Sequence, residues 1–78
     1  VDETLSWQGN GSSIVIRRVA VPDETNWLDV VLTVGETTQG IQSPRGAVWE
    51  WLTDMTESPR WGEVARKGIE LLGNLAWE

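Results

Sequence analysis

Trp27-Leu28-Asp29-Val30-Val31-Leu32-Thr33-Val34 is the stretch whose reading decides the fold. Leu28, Val30, Leu32 and Val34 recur at every second position, while Asp29 and Thr33 take the alternate positions with Val31 between them. A period of two with β-branched content is the pattern of a strand buried on one face. Strand-like segments flank it on both sides. It is therefore expected at the centre of a small antiparallel sheet, and its apolar face needs a cover.

Upstream, residues 4–8 alternate, with Leu5 and Trp7 against Thr4, Ser6 and Gln8. Gly9-Asn10-Gly11 follows, and Asn-Gly is the strongest short-range hairpin signal because both residues tolerate positive φ. The return strand covers 13–21. Ile14 and Ile16 share a face with Arg18, while Val15, Val19 and Val21 share the other with Arg17. A bulge near Arg17-Arg18 reconciles the two halves, and so does a strand apolar on both faces. Pro22-Asp23-Glu24-Thr25-Asn26 reads as the next connection. Beyond the central strand, Gly35-Glu36-Thr37-Thr38 reads as a second turn. Residues 39–42 form a short edge strand around Ile41, weakened by Gly40.

The downstream half changes period. Ser43-Pro44-Arg45 and Ser58-Pro59-Arg60 both read as helix starts, serine as N-cap and proline at the first helical position. In the first helix, Val48, Trp51, Leu52 and Met55 make the apolar stripe and Trp49 lies off it beside Glu50. In the second, Trp61, Val64, Ala65, Gly68, Leu72, Leu75 and Ala76 share one side. Gly68 lets a backbone approach closely, against a helix-propensity cost of about 1 kcal/mol relative to Ala. Gly73 either ends this helix or is tolerated within it. The expected architecture is α+β: a three- to four-stranded antiparallel β-meander over 4–42, then two C-terminal helices over 44–55 and 59–73 packed on one face, all in one small domain of 1–78. The sheet edges are the first strand and the strand near Ile41, and either could take a strand from another chain.

The chain of 78 residues contains no Cys, His, Tyr or Phe, and its six aromatic residues are all tryptophan. Each indole can bury on the order of 200 Å², so a few supply much of a small core. Twelve acidic and six basic residues give a net charge of −6, which opposes nucleic acid and anionic lipid, keeps a small protein soluble, and allows a basic partner without requiring one. No apolar run approaches the roughly 20 residues of a membrane-spanning helix. The chain opens on Val1 rather than Met, as an excised domain or processed product would, and no signal-peptide pattern stands at its start.

Without histidine or cysteine, the usual general base, the usual thiolate nucleophile and the commonest zinc ligands are missing. The glycines of 9–11 match no phosphate-cradling pattern. Carboxylates remain: Asp23 beside Glu24, and Asp54 three residues before Glu57. Two opposed carboxylates can act on a glycosidic bond, given a cleft. Residues 23–29 are oxygen-rich but lack the EF-hand ligand order, so they read as a solvated turn. The expectation is no catalytic residue, no cofactor and no metal. Arg17 and Arg18 point to opposite faces of a strand and make no basic patch. Glu63–Lys67 and Arg66–Glu70 have the spacing of helical ion pairs.

The tryptophans are the functional lead. Trp7, Trp51 and Trp61 read as core. Trp27 borders a turn, Trp49 is off its stripe and Trp77 is next to the end, so these three are expected at the surface. With the acidic turn at Asp23 and Glu24 they make the expected contact surface of a non-catalytic protein-interaction module: an adaptor, regulatory or accessory domain. Its partner would be a basic or proline-rich protein held by cation–π contact or stacking, with homo-oligomerisation also open. The alternatives are a small-ligand or glycan-binding domain stacking a ring on tryptophan, a structural self-associating domain, and a carboxylate enzyme using Asp23 or Glu24.

Gly73-Asn74-Leu75-Ala76-Trp77-Glu78 resembles the Gly-x-x-Ala-Trp-acid signature in the stem of flavivirus envelope proteins, and Lys67-Gly68-Ile69-Glu70 is similar to the stretch before it. The resemblance is confined to the end of the chain, and the spacing between its parts departs from the family's. The domain ahead of that stem carries a disulfide, which a chain without cysteine cannot form. No property is carried over from it.

Overall fold

The structure, a computed structural model, describes residues 3–21 and 24–75, and for residues 20, 21 and 24–26 it describes the backbone alone. Four strands, β1 (Glu3–Gly9), β2 (Ser12–Val21), β3 (Glu24–Val34) and β4 (Thr37–Pro44), precede two helices, α1 (Arg45–Met55) and α2 (Gly62–Asn74). The strands pair antiparallel in the order β1-β2-β3-β4. The fold is α+β, a four-stranded meander with two C-terminal helices on one face. The Asn-Gly hairpin forms as its sequence predicts, with Asn10 at φ 48° and Gly11 at φ 78°. Gly35 opens the β3–β4 turn at φ 60°, and its N–H donates to the Gly11 carbonyl at 2.8 Å, tying the two turns together.

Register puts Ile14 opposite Leu32 and Ile16 opposite Val30, so these side chains and Leu28 lie on one face and are fully buried. Val48 and Leu52 of α1, Val64, Ala65 and Leu72 of α2, and Trp61 and Leu75 at its two ends complete the core. Helix α1 lies over β3 and β4, while α2 lies over β2 and reaches β1 and β3. Gly68 explains how closely α2 nests: a Cβ there would stand 2.5 Å from Ile14 Cδ1 and 3.1 Å from Leu52 Cδ2. Buried Arg45, the first residue of α1, donates to the carbonyls of Leu72 at 2.6 Å and Leu75 at 3.4 Å. These carbonyls lie at the end of α2, where that of Leu72 also accepts from the Leu75 N–H at 3.3 Å. Burial, and then the nearby charge of Arg18, lowers the Arg45 pKa.

The structure moves several expected boundaries. The irregularity of β2 falls between Val19 and Val21, not at Arg17-Arg18, which both stay in register with β1. Strand β3 begins at Glu24, already paired with Val21, so the connection expected over 22–26 is shorter. Strand β4 runs the whole of Thr37–Pro44 through Gly40, which faces Val31. Glycine is fitted to that position because a Cβ would sit 3.0 Å from the Val30 carbonyl oxygen. Ser43 does not cap α1: it pairs with Leu28 in the sheet, and Pro44, at φ −58° and ψ 158°, is the N-cap without a side-chain bond. Ser58 does bind backbone, its Oγ accepting from the N–H groups of Arg60 and Trp61 at 3.2 Å each, but α2 proper starts at Gly62. Gly73 is held inside the last turn of α2.

Candidate interaction surface

Strand alternation sends every residue between the core positions to the other face of the sheet, which no described element covers. At its middle, Val15 and Val31 stand directly opposite each other and are 40% and 38% exposed. Gly40 continues that row on β4 and adds no side chain beside Val31. One row along, Arg17 and Asp29 form an ion pair at 3.4 Å. The next row is Val19, Trp27 and Pro44, with Trp27 half-buried. The opposite end of this face carries Gln8, Ser13 and Thr33, beside a shallow hollow of about 310 Å³ lined by residues 8–13 and Thr33. No tryptophan lines it, so it offers no indole for ring stacking.

Among the described residues the exposed indole lies on the helical layer. Trp49 is 49% exposed, one turn beyond Arg45 on the side of α1 that turns toward α2. Trp61 is buried at 6%, and Trp7 and Trp51 are half-buried against the core, as expected of core indoles. Lys67 Nζ lies 5.6 Å from the centroid of the Trp7 ring, a cation–π distance.

Trp27 and Trp49 thus occupy different sides of the molecule, one on the open sheet face and one on the helices, and do not make one continuous patch. Glu24 opens β3, but its side chain, together with Asp23 and Trp77, lies outside the described residues. Sequence reasoning missed Val15 and Val31 as surface residues. The signal was present at Val31, the apolar residue standing where strict alternation calls for a polar one.

Arg17 and Arg18 do part to opposite faces, Arg18 lying on the helix side within 3.7 Å of Glu3. The helical ion pairs give way to other contacts: Arg66 donates to the Thr56 carbonyl at 3.3 Å, and Lys67 turns to Trp7. Among the described residues no group of three or more acidic, histidine or cysteine side chains is placed to hold a metal ion, and no helix is long and apolar enough to cross a membrane.

Comparison with protein-family models, curated proteins and solved structures finds no match to this chain.

Proposed function

We propose that this protein is a non-catalytic interaction module that binds a basic protein partner. One observation carries the reading: Val15 and Val31 face solvent side by side at the centre of a sheet face that no described element covers. Apolar side chains paired in the middle of a sheet gain from being covered, and Trp49 adds a large amphipathic anchor on the helical layer. A net charge of −6 favours a basic partner over an acidic one. A chain without histidine or cysteine has few means of acid–base or nucleophilic chemistry, which favours binding over turnover.

Selection of binding peptides from a random display library against the full chain, followed by mapping on its backbone amide resonances, tests the reading. Selected sequences should be enriched in Lys and Arg, and Val31→Lys or Trp49→Ala should weaken them while the fold is kept. Failure to enrich any peptide, or binding indifferent to all exposed apolar positions and to both sheet edges, would count against an interaction role.

A further inference from the structure

We propose that the outer edge of β4 accepts an extended, basic segment of the partner as a fifth strand of the sheet. This rests on the interaction reading above and specifies its geometry. β4 ends the strand order, so its outward N–H and C=O groups meet no strand among the described residues. Native edges are ordinarily blunted by charge, proline, a bulge or a cover. Here the register with β3 is unbroken from Thr37 to Pro44, residues 37–43 carry no charge, and proline comes at the last position. Gln39 shares the helix-facing side with Ile41 yet is exposed, so the helices stop short of the first half of the strand.

Alongside this edge runs an unfinished apolar margin. Arg45 and Leu52 turn toward α2, where the guanidinium meets the Leu72 carbonyl and the leucine meets Gly68. Helix geometry then sends Trp51 and Met55, four apart, to the opposite flank of α1, on the β4 side. Trp51, Met55 and Ile41 are all half-buried. A strand laid on β4 would satisfy the backbone and finish burying these three side chains. The β1 edge is blunted by a charge within the strand, Glu3, which pairs with Arg18 at 3.7 Å, and Lys67 lies over Trp7 there.

Charge selects the occupant. Glu50 and Asp54 are exposed on α1 and Glu36 precedes β4 in its turn, so among the described residues three acids flank the strand against one exposed cation, Arg60, whose guanidinium donates to Thr37 Oγ1 at 2.9 Å. Two copies joined through β4 would bring these acids toward their own images and double a net charge of −6. A lysine- or arginine-bearing strand meets them as counter-charges.

The test titrates the isotope-labelled full chain with three short synthetic peptides: one alternating lysine and valine, its glutamate counterpart, and the lysine peptide N-methylated along one edge. The lysine peptide should shift the amides of residues 38–42 and slow their exchange, and N-methylation should weaken it about tenfold by removing ladder donors. Glu50→Lys combined with Asp54→Lys should weaken it about fivefold without lowering the melting temperature. Equal binding of the glutamate peptide, no binding of the lysine peptide, or shifts centred on β1 or the open face would overturn the proposal. Protection of 38–42 that depends only on the chain's own concentration would assign the edge to a second copy and overturn it too. Display-selected peptides that map to Val31 or Trp49 but not to β4 would leave the interaction reading standing while this one falls.

Discussion

At Gly68 a single added carbon meets the core of the protein. A methyl at this position gains helix propensity of about 1 kcal/mol but collides with Ile14 Cδ1 at 2.5 Å, and overpacking costs about 1–3 kcal/mol. Gly68→Ala should therefore destabilise the protein on balance. Combined with Ile14→Val, which deletes that methyl, it should cost less than the two changes summed, as a double-mutant cycle in urea would read. The indoles divide by depth. Trp61→Ala empties a buried site and should cost about 3–5 kcal/mol, whereas Trp49→Ala, at a half-exposed site, should cost about 1 kcal/mol. Arg45→Met should cost about 1–3 kcal/mol by removing the side-chain hydrogen bonds to the Leu72 and Leu75 carbonyls. Its folded-state pKa is lowered, so the charged form is the one folding disfavours, and that penalty would fade only as pH rose through the lowered value. Arginine stays protonated through neutral pH, so the cost of Arg45→Met should be the same at about pH 5 and about pH 9.

At the scale of elements, two Ser-Pro-Arg triplets do different things. Ser43 is held by the sheet opposite Leu28, so Ser43→Ala should leave helix capping untouched and shift the melting temperature little. Ser58 Oγ accepts two backbone N–H groups ahead of α2, so Ser58→Ala should cost about 1 kcal/mol, and thermal melts of the two variants compare them directly. The triplet is the same in both places but its flanking residues differ, and at the first occurrence pairing with β3 claims the serine, which is why the triplet misleads there. The stripes of the helices and the alternation of β1 and β3 were legible because each is a period imposed by one buried face. Strand β4 was only half legible: Gly40 and the polar residues around it have poor strand propensity, and pairing with β3 overrides that.

For the whole molecule, sheet and helices share one set of buried side chains and neither layer has a core of its own. Unfolding should therefore be a single transition, with far-ultraviolet dichroism and tryptophan fluorescence giving coincident curves; a separate early loss of helix would show that the layers are independently stable. The candidate surface was less legible than the fold. Trp49 could be placed outside from its helical position, but Trp27 and Trp49 could not be assigned to different sides without knowing which face of the sheet the helices take. Sequence alone determined the elements, their order and which residues seek burial, since periodicity and turn chemistry are local properties of the chain. Tertiary structure alone decided which face remains uncovered, that Arg45 reaches the far end of α2 and that Gly68 admits Ile14, because these depend on contacts between residues distant in the chain whose meeting no local pattern encodes.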